Sequence, residues 1–203
     1  DNVTSDHSLS AVFEPLSFTV TPSSGAGGSI SPETPEAASY GENITFTMTA
    51  ASGYHVSDVL ADGVSVGAVS SYTFNNVTQD HTIEARFAVN TYTITVSSAK
   101  GGTVSPPGPA AVSHGENSSF LITADTGYRI KDITADGISA GSVTSYTFNN
   151  VTSDHTLSAV FEALSFTVTP SSGAGGSISP STPEAAIYGA NITFTLTAET
   201  GYH

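Results

Sequence analysis

The chain has 203 residues, with 18 Asp and Glu against 4 Lys and Arg, for a formal net charge of −14. So acidic a chain repels nucleic acid and anionic membrane, which argues against any phosphate-binding role. Cys and Trp are absent and Met occurs once, so neither disulfides nor thiol chemistry builds this fold.

No apolar run approaches the roughly 20 residues of a spanning helix, and no signal peptide is legible, so an anchor or export signal is expected outside these residues. In chain order, residues 1–14 read DNVTSDHSLSAVFE, which resembles NNVTSDHTLSAVFE at 149–162 more than NNVTQDHTIEARFA at 75–88. They are read as the C-terminal end of a preceding B-type repeat. A complete A-type repeat then occupies 15–89, a complete B-type repeat 90–163, and the N-terminal part of a following A-type repeat 164–203. Gly27 and Gly101, Tyr54 and Tyr128, and Asp80 and Asp154 each lie 74 positions apart, so no residue is inserted between copies. Residues 164–203 match 16–55 at 34 of 40 positions; the six differences are at residues 33, 39, 42, 48, 51 and 52. Both termini fall inside a repeat, which predicts an interior piece of a longer array. Units of this length can each bury a small core, giving beads instead of one shared solenoid interior.

Within the A repeat, Leu16, Phe18 and Val20 alternate with Ser17, Thr19 and Thr21, the period of two that marks a half-buried strand. Gly27-Gly28 opens a short strand that Pro32 stops, because Pro has no N–H for a central ladder. A third strand carries Ile44, Phe46 and Met48 inward. From Tyr54 to Ala61 the apolar phase slips near Ser57 and Asp58, and one extra residue in a bulge restores the inward face. Asp62-Gly63 is a tight hairpin turn, with Gly supplying positive φ. Tyr72 and Phe74 start the return strand, and Ile83, Ala85 and Phe87 form the last. The expectation is all-β, with about six short strands per unit and at most one helical turn. The only candidate joints are Glu14-Pro15, Ala88-Val89-Asn90 and Glu162-Ala163, too short for free swinging.

These landmarks recur in fixed order: a TITV-type strand, GGT or GGS followed by SP, GY, ADG, SYTFNNVT, then DHT before an Ala and Phe strand. Together they resemble the divergent branch of the internalin B-repeat family, over all 203 residues. The resemblance implies an extracellular repeat module of β-grasp-like or small sandwich form, carried in tandem by bacterial and archaeal cell-surface proteins. It supplies no catalytic residues. One departure is that the B repeat has Ser113-His114-Gly115 where the A repeat has Ser39-Tyr40-Gly41.

Asp80-His81, with copies Asp6-His7 and Asp154-His155, is the most site-like pair, since imidazole beside carboxylate binds metal or shuttles protons. Strand neighbours point to opposite faces, so the pair does not converge on one ion. The simpler reading has Asp80 closing the turn after Asn76-Val77-Thr78. Glu33, Glu36, Asp58 and Asp62 could contribute to a calcium site, but they lack DxDxDG-like spacing and read as solvated charge. Asn2, Asn43, Asn76, Asn117, Asn150 and Asn191 fit the N-x-[ST] glycosylation acceptor, or serve as turn residues. Tyr40, Tyr54 and Tyr72 could stack sugars, though their alternation with polar residues favours the core. No nucleophile elbow or metalloprotease helix is present, so no catalytic, metal or cofactor site is expected.

The sequence therefore predicts a non-catalytic, extracellular structural array: a semi-rigid stalk, adhesin shaft or filament. Its partners would be neighbouring repeats, and other copies of the chain completing the partial repeats at its ends. A glycan-binding or adhesive surface module is the alternative.

Overall fold

A computed structural model describes residues 2–203, and the chain divides into two compact units, one ending at Asn90 and one spanning Thr91–His203. In the first, strands β1 (Ser17–Ser24), β2 (Gly28–Ser31), β3 (Glu36–Ser39), β4 (Ile44–Ala50), β5 (Tyr54–Ala61), β6 (Val64–Gly67), β7 (Ser71–Phe74) and β8 (His81–Val89) form two sheets. The larger has the order β3-β1-β8-β5-β6, and the smaller has β2-β4-β7. β1 and β8 run parallel, Val20 opposite His81 through Ser24 opposite Ala85, while every other pair in this unit is antiparallel. Residues 2–14 form no strand.

The alternation read from the sequence decides which side chains go inside. In β4, Phe46 and Met48 are buried, while Thr45, Thr47 and Thr49 face solvent. The two sheets share one core: Ile30, Phe46, Met48 and Phe74 come from the small sheet, Val20, Ala38, Val59, Ala61, Ile83 and Ala85 from the large one. Burying each large side chain of this set contributes about 1.5–3 kcal/mol. No helix occurs among the described residues, so of the two forms the resemblance implied, the small sandwich is the one built.

The bulge lies where the apolar phase slips, the β5–β8 register shifting between Val56 and Asp58. Asp62 and Gly63 make the β5–β6 turn, both with positive φ (50° and 78°), the geometry of a tight hairpin whose twist matches its strands. Two expectations need correction. There are eight strands per repeat, since β3 and β6 are only four residues long and show no clear alternation. The strand at Tyr72 and Phe74 does not return along β5; β7 pairs with β4 in the other sheet.

The second unit begins with the same eight strands: β9 (Thr91–Ser98), β10 (Gly102–Ser105), β11 (Ala110–Ser113), β12 (Ser118–Ala124), β13 (Tyr128–Ala135), β14 (Ile138–Gly141), β15 (Ser145–Phe148) and β16 (His155–Ala163). They form sheets β11-β9-β16-β13-β14 and β10-β12-β15, around a core that includes Ile94, Phe120, Ile133, Phe148 and Leu157. Two isolated pairs follow: β17 (Ser165–Val168) with β19 (Glu184–Ile187), and β18 (Gly176–Ser179) with β20 (Thr195–Ala198).

The glycine pair at the start of β2 is a matter of close approach. A Cβ on Gly28 would stand 2.3 Å from the Phe87 ring, and one on Gly27 (φ +96°) 2.3 Å from Tyr54. The bare backbone thus lets two rings of β5 and β8 close over the end of β2.

Candidate functional site

The Asp-His motif does two separate jobs in each complete repeat. At the β5–β6 turn, the Asp62 carboxylate reaches β8: Oδ1 accepts the Thr82 N–H at 2.8 Å, and Oδ2 lies 2.7 Å from His81 Nδ1. An ionised carboxylate only accepts, so His81 Nδ1 is the donor. Its ring stacks on Phe74, with centroids 4.7 Å apart and planes 28° from parallel. Burial would raise the Asp62 pKa, but the Thr82 amide and His81 outweigh it and hold the group below the ordinary carboxylate value. Asp80 turns the other way. Its Oδ1 accepts the Thr19 N–H at 2.8 Å, just before β1 enters its parallel pairing with β8.

Asp80 therefore does not close the turn after Asn76-Val77-Thr78, as its neighbours in sequence suggested. It bridges 61 residues to tie β1 to the loop ahead of β8. The B repeat repeats the set: Asp136 Oδ2 to His155 Nδ1 at 2.7 Å, Asp136 Oδ1 to the Thr156 N–H at 2.8 Å, Asp154 to the Thr93 N–H at 2.7 Å, and His155 stacked on Phe148. Asp136 is held low by the same balance of burial against Thr156 and His155.

A shallow polar hollow of about 180 Å³, lined by Thr19, Thr21, Asp62, Asp80, His81 and Thr82, covers this latch in the A repeat. Both Asp62 oxygens and one Asp80 oxygen are taken up by the fold. Among the described residues, no three His, Cys, Asp or Glu side chains are placed to hold a metal ion. Asp58, one of the calcium candidates, accepts the Val59 N–H and the Ser65 hydroxyl at the bulge. Glu33 is exposed and Glu36 half-buried. A larger hollow, about 540 Å³, is lined by residues within 171–203, Ile178, Leu196 and Tyr202 among them, and by no Asp, Glu, Lys or Arg.

The acceptor-type asparagines pair off in the complete repeats. Asn43 Oδ1 accepts the Asn76 N–H at 2.7 Å and Asn117 Oδ1 the Asn150 N–H at 2.8 Å, with Asn76 and Asn150 at positive φ. All four are exposed, as are Asn2 and Asn191. The three tyrosines part company. Tyr72 is half-buried against the core, whereas Tyr54, which lies over Gly27, is 39% exposed and Tyr40 63%, both contrary to the core placement their pattern suggested.

A second cluster of contacts, missed in the sequence, is at the turn carrying Gly-Tyr. The Gly53 carbonyl accepts the Asn90 N–H at 2.8 Å, and His55 Nδ1 lies 2.8 Å from Asn90 Oδ1. In the B repeat the Gly127 carbonyl accepts the Leu164 N–H at 2.8 Å, and Arg129 Nε donates to Glu162 at 2.6 Å. The Tyr188 ring then lies on Gly127, where a Cβ would stand 2.5 Å from Tyr188 Cδ1. The only sequence signal was a Gly that never varies between copies, and nothing local tells which residue lies on it.

Fold and latch together define a tandem all-β module that repeats every 74 or so residues. A family model described as "Divergent InlB B-repeat domain" matches residues 18–91, 92–165 and 166–203, and the chain belongs to that family. No curated protein matches the chain significantly.

Proposed function

We propose that the chain is a non-catalytic extracellular structural array, a semi-rigid stalk or shaft whose task is reach. The carrying observation is that the A and B repeats each close a separate core, one drawn from residues 20–85 and the other from 94–161. Each repeat thus adds a bead without borrowing its neighbour's interior. The ties from Gly53 to Asn90 and from Gly127 to Leu164 support stiffness, since each holds the residue just after a repeat's last strand to that repeat's own Gly-Tyr turn. Outward Thr and a net charge of −14 keep sheet edges from pairing indiscriminately. The Asp-His groups are spent on backbone and turn, which favours a structural over a catalytic use. Of the candidate sugar-stacking rings, Tyr54 and Tyr72 are engaged by the fold, which favours the structural reading over a glycan platform.

The test is small-angle scattering on chains with one, two and three A-B pairs. Maximum dimension should grow by a constant increment per pair. Growth that lags far behind repeat number would mean the units fold back on one another, and the spacer reading would fail.

A further inference from the structure

Tyr40 and Tyr188 occupy the same place in two A-type segments, 148 residues apart, yet only Tyr188 lies on a Gly-Tyr turn. Tyr188 lies on Gly127 of the B repeat; its N–H donates to the Leu164 carbonyl at 2.8 Å, and the Leu164 N–H donates in turn to the Gly127 carbonyl at 2.8 Å. In the A repeat the first of these bonds is present, Tyr40 N–H to the Leu16 carbonyl at 2.9 Å. The second has no counterpart: among the described residues, no backbone carbonyl accepts the Leu16 N–H. Leu16 is 65% exposed where Leu164 is half-buried, and Tyr40 leans on Phe18, with centroids 6.4 Å apart.

We infer that the face formed by Leu16, Phe18 and Tyr40 is a docking surface for the Gly-Tyr turn of a B-type repeat joined ahead of residue 16. The turn's glycine would receive the Tyr40 ring, and its carbonyl the Leu16 N–H. Absence of a Cβ admits the ring, and positive φ (83° at Gly127) aims that carbonyl at the incoming chain. The pairing is specific to type. A B-type turn brings Arg129, paired with Glu162, and residue 14 is a Glu as residue 162 is. An A-type turn brings His55, which bonds Asn90, a residue that Leu16 and Leu164 replace. A second copy of this chain is a poor source of the B-type turn, because its Gly127 already carries its own Tyr188. This surface would order A after B whatever task the array performs, so it stands or falls apart from the spacer reading.

The experiment compares amide exchange at Leu16 in the full chain with that in two extended chains. In one, residues 2–15 are replaced by a copy of residues 90–163 (B-type); in the other, by a copy of 16–89 (A-type). With the B-type extension the Leu16 amide should exchange at least tenfold more slowly, and Tyr40→Ala in that chain should undo the gain. In the unextended chain, Tyr188→Ala should speed Leu164 exchange to a similar degree. An unchanged Leu16 rate, in a chain whose added repeat is folded by its own strand amides, would overturn the inference. So would equal protection from the A-type extension, or protection that survives Tyr40→Ala.

Discussion

Residues 16–55 and 164–203 differ at six of 40 positions, yet one stretch is packed and the other open. Val20 is fully buried and its counterpart Val168 is 46% exposed; Met48 is 4% exposed and Leu196 75%. The local pairings are nevertheless the same. β17 pairs with β19 as β1 does with β3, and β18 with β20 as β2 does with β4, in identical register. What shrinks is strand length. β1 runs eight residues and β17 four, because residues 21–24 find their partner in β8; β4 runs seven and β20 four, because its first half pairs with β7. Turn chemistry and short-range pairing thus come from local sequence, and burial comes from the strands that follow residue 55.

The largest effect should separate these two contexts directly. Phe120→Ala removes a fully buried ring and should cost about 3–5 kcal/mol, unfolding the B repeat early while the A repeat keeps its own transition in a denaturant melt followed by NMR. Phe194→Ala, the same position in the open segment, is half-buried and should shift neither transition measurably. Next come the glycines. Gly28→Ala and Gly102→Ala put a methyl 2.3 Å from Phe87 and Phe161, and should cost about 1–3 kcal/mol each. Gly176→Ala meets no ring, its nearest neighbour being the Thr197 carbonyl oxygen at 3.0 Å, and should be much milder by the same melt.

Smaller still, Asp80→Ala removes the acceptor of the Thr19 N–H and should cost about 1 kcal/mol, with faster exchange at Thr19. The smallest effect is in pH. Asp62 and Asp136 have folded-state pKa values below their ordinary ones, so their contribution is full above the unfolded value of about 4 and fades as pH falls through the folded value. Stability should drop below about pH 4, and Asp62→Asn with Asp136→Asn should flatten that slope in an acid titration followed by circular dichroism.

Much of this architecture was legible because it is local. The phase slip at Ser57 and Asp58 predicted the bulge, and Asp62-Gly63 the hairpin, since both depend on a few adjacent residues. Tyr72 and Phe74 were assigned to the wrong neighbour, because alternation says which side faces inward and nothing about which strand lies beside it. Asp80 was misread for the same reason: its partner Thr19 is 61 residues away. The Asp62–His81 contact spans 19 residues across a turn and a second sheet, so neither residue's flanks disclose it. Tyr40 looked like core by its spacing. It follows β3, the edge strand of the larger sheet, and is exposed there beside Leu16.

The account depends most on each whole repeat being a self-sufficient folding unit. The direct measurement is urea unfolding of residues 16–89 alone, with backbone amides as probes. A single cooperative transition, with Val20, Phe46 and Ile83 protected together, is the predicted result. A chain that is unstructured in buffer, and folds only when residues 90–163 are attached, would contradict it.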